Sequence, residues 1–175
     1  MKGNVVLFLA VFIFSSCGPT IQVFSDHDTA IKTDDYKTYD WLDIKAIESK
    51  NNDPRYYNEL TDKRIKNAVN KEMETKGFAL APVKGQLELH YHIIVEDKTS
   101  VSTEPVGFIY SPYFERKRTN LYQYREGTLI IDIMDVKTNQ LVWRGWGTDV
   151  ISAKTLKKPE EAINEAVNAI FKKFP

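Results

Sequence analysis

Between Gln86 and Glu96 the side chains alternate so regularly that this stretch admits only an extended backbone. Leu87, Leu89, Tyr91, Ile93 and Val95 fall on one face, and Glu88, His90, His92, Ile94 and Glu96 on the other. A period of two marks a strand with one buried face, because successive Cβ atoms point to opposite sides of a sheet. Two further apolar runs, Thr128 to Asp135 and Gln140 to Asp149, flank the turn-like Val136-Lys137-Thr138-Asn139 and predict a hairpin. Shorter strands are predicted at Ile21 to Phe24, Thr38 to Leu42 and Phe78 to Ala81, with the polar stretch Ser25 to Asp35 separating the first two.

Elsewhere the apolar residues recur at helical spacing. Asp53-Pro54 has the chemistry of a helix start, and the predicted helix runs to Lys76 with Ile65, Ala68, Val69 and Met73 on one stripe. Leu60 lies off that stripe, and Gly77 follows where a left-handed cap belongs. A second helix begins at Pro159 and lines up Ile163, Ala166, Val167, Ile170 and Phe174, with Lys172 and Lys173 near its negative end. Hairpin-linked strands with two helices predict an α+β domain: an antiparallel β-sheet, two helices packed on one face, and a long aromatic hairpin or loop on the other side.

The first residues, MKGNVVLFLAVFIFSSC, read as a signal peptide over 1–16 that ends at a lipid-attachment cysteine, Cys17. The apolar run Val5 to Phe14 covers about half of a ~30 Å hydrocarbon core as a helix, too short to span it. Cys17 is the sole cysteine, so no disulfide framework competes for it. Residues 17–20 then form a lipidated tether and 21–175 a single globular domain. Lys+Arg and Asp+Glu both number 24, and losing Lys2 with the leader leaves the processed chain one unit negative. That balance excludes the basic footprint of nucleic-acid binding and a polybasic membrane clamp. Attachment would come from acyl chains, at about 0.8 kcal/mol per buried methylene.

Four segments together resemble a known family: YKTYDW at Tyr36 to Trp41, KGF at Lys76 to Phe78, EGTLIIDIMDVKTNQLVWRGWG at Glu126 to Gly147, and the closing FP. They are similar to a bacterial lipoprotein family catalogued as domain of unknown function 4136, over roughly Ile21 to the C-terminus. The chain departs from it at Gly85-Gln86, where the family often has proline-aspartate. The resemblance implies an anchored extracytoplasmic domain with no established activity. Gly18 after the cysteine, in place of the aspartate associated with inner-membrane retention, implies the outer membrane; Gly18-Pro19-Thr20 carries no acidic run and favours the periplasmic face.

Chemistry is sparse in these residues. His90 and His92 share a strand face, and His27 sits in Ser25-Asp26-His27-Asp28, so two histidines and a carboxylate are the only metal donors that suggest themselves. No HExxH or Cys/His spacing supports them, and the expectation is no metal and no cofactor. GxSxG, SxxK and phosphate-loop patterns are absent as well. Asp132 and Asp135 straddle opposite faces of their strand and cannot share one substrate without a bulge. No catalytic residue is assigned, and the expected function is not enzymatic.

One surface stands out. Val101 to Tyr124 reads as a long connection carrying Phe108, Tyr110, Tyr113, Phe114, Tyr122 and Tyr124 around the basic Arg116-Lys117-Arg118. Segments of that length in compact domains are functional or disordered, and so many aromatics oppose disorder. If Leu87, Leu129 and Trp143 face the helices, then Ile94, Ile130, Met134, Val142 and Trp146 point away, more than the ~300 to 600 Å² of a typical largest apolar patch. Either the aromatic segment folds back as strands or a flap over that face, or Phe108, Tyr110, Tyr113, Phe114, Arg116, Arg118, Tyr122 and Trp146 form a surface for an envelope partner or amphiphilic ligand. Gly145 can bulge its strand and exchange the buried tryptophan. The function expected is a binding or scaffolding lipoprotein module in the periplasm, the alternatives being a carrier for an amphiphilic ligand or a hydrolase with an unrecognised site.

Overall fold

The computed structural model describes residues 21–42, 53–108 and 115–175, with backbone only over 104–108 and 115–118. Six strands form one sheet: β1 (Gln22–His27), β2 (Thr38–Trp41), β3 (Ala79–Leu80), β4 (Leu87–Phe108), β5 (Glu115–Asp135) and β6 (Gln140–Val150). Their order is β1-β6-β5-β4-β2-β3. Three helices accompany them, α1 (Glu59–Thr75), α2 (Ala153–Lys157) and α3 (Pro159–Phe171). The fold is α+β, and no helix among the described residues is long and apolar enough to cross a membrane.

The sheet is mixed, which corrects the expected antiparallel one. β2 runs parallel to both of its neighbours, β4 and β3. A parallel pair needs a crossover of a dozen or more residues, and the segment carrying α1 supplies it between β2 and β3. The helix start also differs. Asp53 closes a turn, its carbonyl accepting from the N–H groups of Tyr56 and Tyr57, and α1 begins later under an Asn58 cap that accepts from Thr61 N–H at 2.9 Å. Leu60 accordingly stays exposed. The helix ends as expected at Gly77, whose φ of 86° suits glycine, while Phe78 N–H returns 3.0 Å to the Met73 carbonyl. The short α2, closed by a reciprocal Ser152–Thr155 capping box, is a third helix beyond the two expected.

Alternation delivers the core. Leu87 and Leu89 of β4, Ile131 and Ile133 of β5, and Trp143 of β6 are fully buried beside Ile65, Val69 and Met73 of α1 and Val167, Ile170 and Phe171 of α3. Asn70 of α1 reaches down to the sheet, its Oδ1 accepting from Tyr39 Oη at 3.0 Å and Trp41 Nε1 at 2.9 Å. Trp143 lies against Phe171 and Phe174, with ring centroids 5.6 and 5.1 Å away. Its ring runs along the strand over Gly145, where a Cβ would fall 2.2 Å from Trp143 Cη2.

Val142 was expected on the opposite face with Trp146, and the structure places it in the core at 1% exposure. Ile133 pairs with Trp143 and Met134 with Leu141, so Val142 is the extra residue of a β-bulge and turns inward beside Trp143. Gly145 keeps its place in the ladder opposite Ile131, so Trp143 is the buried tryptophan and Trp146 faces away. The β5–β6 turn is tied by Asp135, whose Oδ1 accepts from Lys137 and Thr138 N–H at 2.6 and 2.8 Å. Tyr36 donates to its other oxygen at 2.6 Å, and these bonds hold the Asp135 carboxyl below its ordinary value.

The long connection expected over Val101 to Tyr124 is largely strand. β4 and β5 stay paired from Leu87–Asp135 out to Pro105–Lys117 and, after a register shift, at Phe108–Glu115, beyond the last β6 partner at Glu126–Val150. Past that point they continue as a two-stranded ribbon on which Val101, Leu121, Tyr122 and Tyr124 are exposed.

Candidate functional site

The helix-facing side of the sheet runs out of helix before it runs out of strand. On α1 the buried stripe begins at Thr61 and Ile65, while the same face of β4 continues to Ile93 and Val95 and that of β5 to Leu129, all only half-buried. Two glycines on this face, Gly127 and Gly147, let neighbouring side chains close on the backbone: a Cβ would lie 3.1 Å from Ile151 at the first and 3.2 Å from Ile21 and Ile170 at the second. A cleft of about 360 Å³ lies between the start of α1, the α2–α3 corner and the sheet. Its floor is Ile93, Leu129 and the glycines, its walls Ile151, Leu156 and Ile163. Charged side chains stand at its edge, Arg55, Arg64, Lys154 and Lys158 with Glu161 and Glu165. Lys158 and Glu161 pair at 2.7 Å and Arg55 is held by Asp53. An apolar interior under a mixed polar rim fits an amphiphile, whose chain is buried and whose head stays wet.

A second arrangement occupies the opposite face. His90 of β4, Asp132 of β5 and Arg144 of β6 are direct neighbours in register. Arg144 grips the carboxylate with both arms, Nε to Oδ1 at 2.5 Å and Nη2 to Oδ2 at 2.6 Å. His90 Nε2 stands 2.9 Å from Oδ2, and His92 Nε2 4.0 Å from the same oxygen. The Asp132 side chain is fully buried. Burial alone would raise its pKa, yet the hydrogen bonds and charges of Arg144 and His90 outweigh that and hold it at about 2. Burial and the neighbouring His90 push His92 down.

Alternation already set His90 and His92 on one face; Asp132 and Arg144 were missed because their inclusion depends on which strands pair, and only the β5–β6 hairpin announces itself locally. Asp132 and Asp135 do lie on opposite faces. His27 sits at the end of β1 opposite Trp143, outside this cluster. Of the proposed surface residues, Trp146 is half-buried and stacks on Phe24 with centroids 5.6 Å apart, and Tyr122 is exposed on the ribbon. Phe108 and Arg118 hold backbone places opposite Glu115 and Glu104, with Arg116 on the same strand. Tyr110, Tyr113 and Phe114 lie outside the described residues, as does Cys17.

The model of a family described as Domain of unknown function (DUF4136) matches residues 23–175. The chain belongs to that family. A DUF4136 family protein from Bacteroides thetaiotaomicron has a crystal structure similar to this one, with a TM-score of 0.57 at 18% identity, covering 87% of this chain and 95% of its own. A PDZ domain protein from Parabacteroides distasonis is also similar, at TM-score 0.56 and 12% identity over 90% of this chain. The present chain spans 37% of that protein's length. At such identities the likeness concerns the DUF4136 fold alone. No curated protein matches the sequence.

Proposed function

We propose that this DUF4136 domain is a non-enzymatic envelope lipoprotein module that holds an amphiphilic ligand, such as a medium-chain fatty acid, in the cleft above Ile93 and Leu129. The observation that carries the reading is the cleft itself, about 360 Å³ lined by Ile93, Leu129, Ile151, Leu156 and Ile163 with charged side chains also bordering it. At ~30 Å³ per water-sized group, 360 Å³ accommodates on the order of a dozen such groups. Burying about eight methylenes at ~0.8 kcal/mol each gives roughly 6 kcal/mol, a Kd of tens of micromolar.

Acylated Cys17 would anchor the module in the outer membrane facing the periplasm. Ile21, a wall of the cleft, is four positions from Cys17, so at ~3.3–3.6 Å per residue the anchor lies within about 14 Å of the cleft's edge. A ligand is then drawn from, or returned to, the adjacent bilayer.

The test is titration of the purified Cys17→Ser chain with a fluorescent fatty acid, competed by dodecanoate. Saturable binding at tens of micromolar, abolished in Ala162→Phe while the circular dichroism is unchanged, is expected. Failure to saturate by millimolar probe, or binding unchanged in Ala162→Phe, would refute the proposal.

A further inference from the structure

We propose that His90, His92 and Asp132 form a binding site for one borderline divalent cation such as zinc on the sheet face opposite the helices. This inference is independent of the cleft. One donor atom from each residue lies within 4.8 Å of the other two. Two imidazole nitrogens and one carboxylate oxygen make a three-ligand set of the kind that zinc accepts, with a fourth position left for water. The approach is open, since the His92 side chain is 35% exposed and His90 17%.

The Arg144–Asp132–His90 ladder would account for His90 and Asp132 without any ion, as a cross-strand ion pair. It leaves His92 unexplained. That ring turns its Nε2 toward the same Oδ2 that Arg144 and His90 already use, at 4.0 Å, too far for a hydrogen bond. Two imidazoles converging on one carboxylate oxygen is the arrangement that a shared cation produces.

The rearrangement required is at most about 1.5 Å for any pair of donors, since all lie within 4.8 Å of one another. Donors around tetrahedral zinc at ~2.0–2.1 Å are about 3.3 Å apart, so the 2.9 Å separation must open by about 0.4 Å and the 4.0 Å separation close by about 0.7 Å. Arg144 keeps Oδ1 through its Nε and yields Oδ2 to the ion, serving as the outer partner that orients a ligating carboxylate. Its positive charge lies close to the ion, which places the expected affinity in the micromolar range and not the nanomolar range of closed structural sites. The ligands come from two strands, which is why no local metal motif marks them in the sequence.

The experiment is calorimetric titration of the full processed, chelator-stripped protein in detergent with zinc chloride alone. One site per chain with a micromolar Kd is expected, weakened at least tenfold in His92→Ala and His90→Ala and unchanged in His27→Ala. His92 is partly exposed and makes no hydrogen bond to Asp132, so its variant retains the fold, verified by unchanged far-ultraviolet circular dichroism. Wild-type affinity weaker than millimolar overturns the site, as does His92→Ala binding as tightly as wild type, or an equal loss in His27→Ala.

Discussion

Replacing Gly145 with alanine adds one methyl group at the most crowded point of the core. That Cβ would stand 2.2 Å from Trp143 Cη2, 2.5 Å from Cζ2 and 2.7 Å from Ile170 Cγ2. Ordinary contact begins at 3.4 Å, so the indole must retreat by about 1.2 Å. Trp143 has no exposed surface and is boxed in by Phe171 and Phe174, leaving no cheap direction of retreat. Overpacking costs about 1 to 3 kcal/mol, and a clash against an immobilised ring belongs at the upper end, near 3 kcal/mol. For a domain of this size each kcal/mol lowers Tm by about 2–4 °C, so the variant should melt roughly 6–12 °C early. Thermal scans followed by near-ultraviolet circular dichroism, which reports the tryptophan environment, measure this directly. Gly77→Ala is the matched control: nothing lies within 4 Å of its Cβ, and only the positive φ opposes it, at about 1–2 kcal/mol. A Gly145→Ala Tm within about 2 °C of wild type, or a smaller loss than Gly77→Ala shows, refutes the picture of an indole laid over a glycine.

The Asp132 carboxyl, depressed from 3.8 to about 2, contributes stability that is fully present above pH 4 and is lost as pH falls through 2. The shift corresponds to roughly 2 kcal/mol, read as the difference in acid sensitivity between wild type and Asp132→Asn in urea titrations with chelator; parallel pH profiles would contradict it. Asn70→Ala strips the acceptor shared by Tyr39 and Trp41 and should cost about 2 kcal/mol, seen as a lower urea midpoint at constant slope, with Asn70→Asp nearer to wild type. Cys17→Ser should abolish incorporation of radiolabelled palmitate and release the protein from the membrane fraction; label retained on the variant rejects the anchor.

Periodicity made the interior legible wherever a segment was long enough to show one: the zero exposure of Leu87 and Leu89, the burial of Val167 and Ile170 and the Gly77 cap all follow from spacing, while the last helix stops at Phe171, short of the Phe174 expected on its stripe. What stayed hidden depends on partners distant in sequence. The direction of β2 is decided by the crossover through α1, and the inward turn of Val142 by a register shift against Ile133 and Met134. The ribbon of β4 and β5 escaped notice because alternation fades once no core lies beneath it. The cleft was invisible because it arises from where α1 begins relative to where the sheet ends, and the histidine cluster because Asp132 joins it only across strands.

β1 completes the sheet by pairing Gln22 with Thr148 and His27 with Trp143, so the earliest strand to be synthesised depends on one of the last. At ~5–20 residues per second, translation of the intervening stretch takes roughly 6 to 25 s. Throughout that interval the nascent N-terminal strand has no hydrogen-bonding partner of its own. Closure of that edge of the sheet therefore waits until β6 has been made.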